Sequence, residues 1–194
     1  IDYIRKTVGD HKILMLVSGG VDSSVCAALA AKAIGPENIY ALHVDSGFMR
    51  LDESAGVSRA LAKLGLRLHV VDASDELYAS STSVNGTITP ALRDTTSPEQ
   101  KRHIIGDEFM RVAEREIKRL AIDPNTVYLA QGTLRPDLIE SASALASGTA
   151  DAIKTHHNDT TLVRELRAKG RVVEPLTELH KDEVRQLGKS LGLP

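Results

Sequence analysis

Glycines, serines and one aspartate cluster at residues 18–24, where the chain reads SGGVDSS. The apolar run before this cluster predicts a strand, and the small apolar residues after it predict a helix. Gly19 and Gly20 let the backbone turn sharply or pass close to a ligand. The serine hydroxyls, with the free N–H groups and positive dipole end of the new helix, favour a bound anion. The cluster therefore predicts a cradle for a polyanion; the alternative is a plain strand-to-helix turn with a serine cap.

The pattern at 18–24 differs from two common nucleotide-binding loops. It has no Gly-Lys-Ser/Thr ending, and so lacks the lysine with which a Walker A loop grips phosphate. It also lacks the G-x-G-x-x-G spacing of dinucleotide-binding sheets. A carboxylate beside a polyphosphate would repel it, so Asp22 makes physical sense at such a site only if a cation is shared.

Strand and helix patterns alternate along the chain. The predicted strands are 13–17, 39–44, 67–71, 127–130 and 171–174, and the predicted helices are 22–34, 52–64, 98–120 and 181–191. Strands separated by helix-length segments need crossover connections, so we expect a doubly wound α/β fold with a parallel five-stranded sheet and helices on both faces. Ligands of such sheets bind beyond the carboxyl ends of the strands, which is where 18–24 would lie.

Two polar segments interrupt this alternation. Residues 80–96 read as a long surface loop, and a cap at Ser97 followed by proline starts the helix after it. Residues 141–161 are rich in small and polar side chains, and read equally well as a mobile lid over a site or as a tolerated insertion.

Composition excludes several function classes. The length of 194 residues predicts one domain, and a formal net charge of −2 with no Trp argues against a nucleic-acid partner. No apolar run approaches membrane-spanning length, so we expect no membrane association. Cys26 is the single cysteine, which excludes an intrachain disulfide and a cysteine-based zinc site. This cysteine usage indicates a reducing compartment, which we take to be the cytoplasm.

The SGGVDSS stretch resembles the pyrophosphate loop of the ATP pyrophosphatases, which cleave ATP between its α- and β-phosphates. Further stretches narrow the resemblance to the glutamine-hydrolysing GMP synthetases. They are HVDSGFMR (43–50), TTSPEQKRHIIGDEF (95–109), LAQGTLRPDLIESAS (129–143), IKTHHND (153–159) and EPLTELHKDEVRQLGKSLGLP (174–194). The resemblance covers essentially the whole chain and implies an adenine-nucleotide α-hydrolase-like fold. The long segment 80–96 is closer to the eukaryotic form of this family.

The resemblance implies a ligase that uses ATP, XMP and Mg²⁺. The 2-oxygen of XMP would attack the α-phosphorus of ATP to give adenylyl-XMP and pyrophosphate, and ammonia would then displace AMP to leave GMP. In the family, a glutamine amidotransferase domain supplies the ammonia, and a C-terminal dimerisation domain supplies much of the XMP pocket. Neither is present in these residues, so we expect 1–194 to be one ATP-pyrophosphatase domain whose parent protein is a homodimer.

The resemblance also assigns roles to individual residues. The phosphate-binding residues would be Ser18, Gly19, Gly20, Val21, Asp22, Ser23 and Ser24, with Asp22 also holding Mg²⁺. The backbone of Val44 would face adenine, Gly132 would line the ATP crevice, and Arg102 would bind the XMP phosphate. The catalytic set would be Asp22, Asp137, Glu140, Lys154, Lys181 and Asp182.

Each assignment has a plainer interpretation. Val44 reads equally as a core valine and Gly132 as a turn glycine. Asp137 and Glu140 would share a face of a helix and could simply be solvated there. Arg102 reads also as surface charge, and Asp182 suits the dipole of a helix start for purely local reasons.

Three other functions stay open at this point. Within the ATP pyrophosphatases, the chain could be an NAD synthetase, which shares the phosphate loop but not TTSPEQKR or IKTHHND. It could also be a tRNA-thiolating enzyme, although such enzymes normally need further cysteines and a basic RNA surface. From a different class, it could be a module that binds ATP without chemistry.

Overall fold

The computed structural model describes residues 1–137 and 160–193 of the chain. Its strands are β1 (Lys12–Leu16), β2 (Ile39–Asp45), β3 (Leu68–Asp72), β4 (Ser83–Val84), β5 (Thr87–Ile88), β6 (Val127–Ala130) and β7 (Val172–Val173). Five of them form a parallel sheet in the order β3-β2-β1-β6-β7. The predicted doubly wound fold is confirmed, and each predicted sheet strand is present within two residues at either end.

The helices in the described residues are α1 (Asp2–Val8), α2 (Val21–Ile34), α3 (Glu53–Ala62), α4 (Ser74–Ala79), α5 (Pro98–Arg119), α6 (Thr161–Ala168) and α7 (Lys181–Ser190). The four predicted helices are confirmed, whereas α1, α4 and α6 were not predicted because each is too short for a clear apolar period. Within 1–137 and 160–193, no helix combines the length and apolar character needed to cross a membrane.

Alternating side chains of β1 enter the two halves of the core. Ile13 and Met15 pack against α1, α2 and α7, while Leu14 packs against α5 and α6. All three side chains are at most 1% exposed, which explains why a strand covered on both faces is a continuous apolar run. The central strand is thereby fixed in register, and its carboxyl end delivers residues 18–24 to one edge of the sheet.

Helix α2 lies close to its neighbours because its buried side chains are small. Ala27, Ala28 and Ala30 are at most 1% exposed. Helix α7 approaches α2 where Gly188 faces Val25, and a Cβ atom on Gly188 would lie 3.0 Å from Cγ2 of that valine. This close packing sets the start of α7 beside the start of α2.

The segment 80–96 lies largely at the surface, as predicted, but it is not an irregular loop. It contains the antiparallel hairpin β4–β5 and a 3₁₀ turn at Leu92–Asp94, and Leu92 is buried against α5 and its neighbours. The hydroxyl of Thr82 bonds the carboxylate of Asp107 on α5. This regular structure was not predicted because Thr82 and Thr95 are buried and bond through their hydroxyls, which a linear pattern does not reveal.

Candidate functional site

A crevice opens between the carboxyl ends of β1 and β6, where the strand order reverses. Such switch points are the usual ligand sites of parallel α/β sheets. The crevice holds a cavity of about 290 Å³. Its lining residues are Leu16, Ser18, Asp22, Ser23, Phe109, Leu129, Ala130, Gln131, Gly132, Thr133 and Val163.

Residues 18–24 form a tight loop whose shape is held by hydrogen bonds between its own residues. The hydroxyls of Ser23 and Ser24 donate to the carbonyl oxygen of Gly20 at 3.0 and 2.9 Å, and the Gly20 N–H group donates to Ser18 Oγ at 3.3 Å. Gly19 has a φ of +88°, a left-handed conformation that glycine adopts without strain.

The serine-cap alternative does not hold for this turn. Gly20 occupies the N-cap of α2, and no side chain caps the helix there. The N–H groups of the first turn of α2 therefore have no capping side-chain oxygen, which is the arrangement that favours a bound phosphate. Of the predicted phosphate-binding residues, Ser18, Asp22 and Ser23 line this cavity. Gly19, Val21 and Ser24 instead line a second cavity of about 360 Å³ on the side of α7.

The carboxylate of Asp22 joins the loop to the last helix. Its Oδ2 atom accepts from the ammonium group of Lys181 at 2.5 Å, and its Oδ1 atom is buried with no hydrogen-bond partner among the described residues. An unpartnered buried carboxylate oxygen is costly unless a donor or cation completes it. The structure thus brings together Asp22 and Lys181, which the sequence had assigned separately.

The loop after β6 lies directly on the first turn of α2. A Cβ atom on Gly132 would lie 3.1 Å from the carbonyl group of Asp22 and 3.2 Å from the Ser23 nitrogen, so only glycine fits without a backbone shift. Next to it, the Thr133 hydroxyl donates to Glu174 Oε1 at 2.5 Å. Glu174 follows β7, and its contact with Thr133 was not predicted because the two residues are 41 positions apart.

Val44 lies at the carboxyl end of β2 and is buried in the core. Its side chain, 5% exposed, packs with Ala73, Leu77 and other apolar residues near α5. In the sheet, Val44 is paired with Val71 of β3, and the other neighbour of its strand is β1. The core interpretation of the side chain is therefore confirmed, and the adenine contact of the backbone stays a prediction.

The other assigned residues lie in different surroundings. Arg102 is exposed in the second turn of α5. Asp137 accepts from the Leu134 N–H group at 3.0 Å, and Asp182 pairs with Arg185 at 2.8 Å. Glu140 and Lys154, as well as residues 141–159 of the predicted lid, lie outside the described residues. The roles of all these residues stay predictions.

Cys26 is a core residue. It is fully buried in α2, and burial, followed by the nearby charge of Glu174, raises the pKa of its thiol to about 12. A thiol with so high a pKa stays protonated and unreactive at neutral pH. This agrees with its interpretation as a small core side chain.

The described residues do not by themselves provide a complete set of metal ligands in this crevice. Across 1–137 and 160–193, no three His, Cys, Asp or Glu residues form a group that could hold a metal ion. Among the buried side-chain nitrogen and oxygen atoms of the described residues, the Oδ1 atom of Asp22 is the one without a hydrogen-bond partner. Mg²⁺ commonly takes one or two carboxylates together with substrate phosphates and water, so one aspartate at a phosphate loop fits this ion.

A family model described as NAD synthase matches residues 1–104, more than half of the chain. The chain belongs to the NAD synthase family. The structure of an NH₃-dependent NAD synthetase from Campylobacter jejuni is similar, with a TM-score of 0.61 over 99% of this chain and 70% of that chain. Its sequence is only 17% identical, so this likeness concerns the fold that members of the family share.

Sequence relatives of much higher identity carry a different name. The chain is 66% identical over 193 residues to a GMP synthase [glutamine-hydrolyzing] from Dictyostelium discoideum, and 57% identical over 194 residues to a probable one from Caenorhabditis elegans. Each match covers 100% of this chain, but 27% and 26% of the relatives. The chain thus spans about a quarter of their length, and its predicted resemblance to these ligases is confirmed.

Proposed function

We propose that this chain is the ATP-pyrophosphatase domain of a GMP synthase, which adenylates XMP with ATP and then aminates the intermediate to GMP. The identity of 66% over the whole chain to a GMP synthase carries the proposal. The cavity between β1 and β6, with the SGGVDSS loop at its edge, supplies the matching place for the triphosphate of ATP.

The first step asks the protein for positioning and charge stabilisation. The N–H groups of the first turn of α2 hold the β- and γ-phosphates, and Lys181 adds a positive charge next to them. The backbone of Val44 orients adenine, and Gly132 lets the β6 loop close on the nucleotide. With ATP held in this way, the 2-oxygen of XMP attacks the α-phosphorus in line with the departing pyrophosphate.

Mg²⁺ belongs to the same proposal. When bound with ATP, the ion neutralises charge on the departing pyrophosphate. The Oδ1 atom of Asp22 supports this, since it is buried at the loop without a partner from the described residues. The other ligands would be phosphate oxygens and water.

XMP and ammonia complete the reaction. The exposed Arg102 provides a charged contact for the XMP phosphate. Asp137, Glu140, Lys154 and Asp182 would complete the catalytic set. Ammonia would come from a glutamine amidotransferase domain of the natural protein, which would be a cytoplasmic homodimer.

The relatives favour this function over the alternatives. Proteins named GMP synthase match at 66% and 57%, whereas the NAD synthetase structure matches at 17% and shares only the fold.

The experiment uses the natural protein that contains these residues. It is supplied with Mg-ATP and ammonium chloride, and pyrophosphate, AMP and GMP are measured with XMP or with the deamido precursor of NAD. We expect pyrophosphate release and GMP with XMP only. Release with the NAD precursor alone would indicate an NAD synthetase, and ATP binding without any release would indicate a non-catalytic module.

A further inference from the structure

The imidazole ring of His43 is buried in the middle of the fold. The residue belongs to β2 and is 1% exposed, although both neighbours in the strand are apolar. Its Nδ1 atom lies 2.6 Å from the carbonyl oxygen of Val17, and its Nε2 atom lies 2.9 Å from Ser54 Oγ. One side chain thus joins β2, the end of β1 and helix α3.

The hydrogen-bond partners of the ring determine which of its nitrogen atoms carries the hydrogen. The carbonyl oxygen of Val17 can only accept, so Nδ1 carries the hydrogen and donates it. In the neutral ring, Nε2 is then an acceptor, and the Ser54 hydroxyl donates to it. Both nitrogen atoms are satisfied, which a buried polar ring requires.

The bonded carbonyl group belongs to the residue just before the phosphate loop. Val17 precedes Ser18, and Gly19 faces the His43 ring: a Cβ atom on Gly19 would lie 3.6 Å from ring atom Cε1. The His43 ring therefore lies beneath the point where the chain leaves β1 and turns into the loop.

We propose that His43 is a positioning residue that fixes the start of the SGGVDSS loop for ATP, by tying the Val17 carbonyl group to Ser54 on α3. The inference rests on the function proposed above. A loop held in its binding shape binds more tightly than one that must be ordered on binding. His43 touches no nucleotide, and it acts through the backbone at Val17.

Variants of the two bonded side chains test the inference in the natural protein. His43→Leu removes both hydrogen bonds, Ser54→Ala removes only the second, and His43→Asn keeps an N–H donor near the Val17 carbonyl group. His69→Leu is the control for the loss of a strand histidine far from the loop: the half-exposed His69 lies on the neighbouring strand β3, opposite Leu42, and pairs with Glu116.

The readouts are the Kd of Mg-ATP from calorimetry, the melting temperature, and the KM values for ATP and XMP. We expect His43→Leu to raise the Kd and KM for ATP about tenfold or more, since it removes both hydrogen bonds and one buried hydrogen bond alone corresponds to about tenfold. Ser54→Ala should raise them less, His43→Asn should restore part of the loss, and His69→Leu should leave them unchanged. The KM for XMP should not change.

Each outcome bears on a separate statement. Unchanged ATP binding in Ser54→Ala and His43→Leu, or an equal loss in His69→Leu, would overturn the role of His43. If His43→Leu does not fold, Ser54→Ala decides, because the Ser54 side chain lies on a surface helix. A wild-type protein that binds no ATP would refute the proposed function itself. Intact ATP binding without GMP formation would refute the GMP synthase reaction and still leave the positioning role measurable.

Discussion

The ammonium nitrogen of Lys181 lies 2.5 Å from the Oδ2 atom of Asp22, although 159 positions separate the two residues in the chain. The pair links the first residue of α7 to the first turn of α2. Both side chains remain partly exposed, at 46% and 27%, so the ion pair itself stabilises the fold by no more than about 1 kcal/mol. The position of this ion pair at the SGGVDSS loop, rather than its contribution to stability, indicates a functional role.

We therefore expect Asp22→Asn to reduce XMP-dependent pyrophosphate release about 100-fold or more, as losses of one preorganised electrostatic group do. The free energy of unfolding should fall by about 1 kcal/mol or less. Release is measured by a coupled pyrophosphate assay, and stability by urea unfolding.

Glu165→Gln is the control for Asp22→Asn. Glu165 pairs with Lys169 at 2.7 Å on α6, and both side chains are 40% exposed, so the same charge is lost from a similar ion pair. It should leave pyrophosphate release intact. A sharp fall in the melting temperature of Asp22→Asn, with full activity in the folded fraction, would contradict the catalytic role.

The bond between Thr133 and Glu174 should control ATP affinity through the β6 loop. Glu174→Ala and Thr133→Val each remove the bond, so we expect each to raise the KM for ATP about tenfold. Glu174→Gln keeps an acceptor oxygen and should lie close to wild type. Because one bond is lost in either case, the double variant should be no worse than the single ones. Additive losses would show that the two side chains act independently.

Adding one methyl group at Gly132 tests whether ATP binding depends on the close approach of the β6 loop to α2. Gly132→Ala places a Cβ atom 3.1 Å from the backbone of Asp22, so the β6 loop must move away and ATP binding should weaken. In the matched variant Gly56→Ala, no atom lies within 4 Å of the new Cβ atom, and Gly56 is inside α3. That variant should gain about 0.5–1 kcal/mol of stability with unchanged ATP binding. Equal ATP affinity in both variants would refute the packing argument.

Cys26 should make the protein less stable in alkali. Burial raises the pKa of its thiol from 9.0 to about 12, so above pH 9 the unfolded chain loses this proton while the folded chain keeps it. Stability falls with pH wherever the unfolded state binds fewer protons. Between pH 8 and pH 10, wild type should therefore lose about 1 kcal/mol more than Cys26→Ala. Parallel urea curves at both pH values measure this, and an identical loss would show that the thiol titrates normally.

The 194 residues by themselves should bind Mg-ATP better than XMP. The phosphate loop, β2 end and Gly132 lie within the chain, whereas Arg102 is the one residue assigned to XMP. A charge-assisted contact contributes about 1.5–3 kcal/mol, well below the roughly 8 kcal/mol of micromolar affinity. We expect calorimetry to detect binding of Mg-ATP and only weak binding of XMP. No GMP should form from glutamine. Micromolar XMP binding would mean that this chain contains the XMP pocket.

The sheet and the loop were predictable because their signals are local. The β1 strand is an unbroken apolar run covered on both faces, and SGGVDSS is contiguous in sequence. Contacts between distant elements left no such signal. The pairing of Lys181 with Asp22 and that of Glu174 with Thr133 depend on how α7 and β7 pack against the rest.

Two other features were missed for related reasons. His43 is a polar residue between the apolar Leu42 and Val44 of a buried strand, which was a usable signal, but its partners Val17 and Ser54 become neighbours only in the fold. In 80–96, threonines that read as solvent-exposed are buried, as Thr89 shows by accepting from the Thr82 N–H group at 3.1 Å. The polarity of a residue follows from its side chain alone, whereas the burial of a polar residue depends on whether the fold supplies hydrogen-bond partners.

The long separation between Asp22 and Lys181 has a consequence for synthesis of the chain. A ribosome completes the SGGVDSS loop long before it reaches Lys181, so the nascent protein carries a phosphate loop without its lysine. If the proposed function is right, tight binding of ATP would be acquired only when the last helix docks. The nucleotide can therefore stabilise the finished domain through mass action, but it cannot guide the early stages of folding. Cellular ATP would thus protect completed molecules selectively against unfolding and proteolysis.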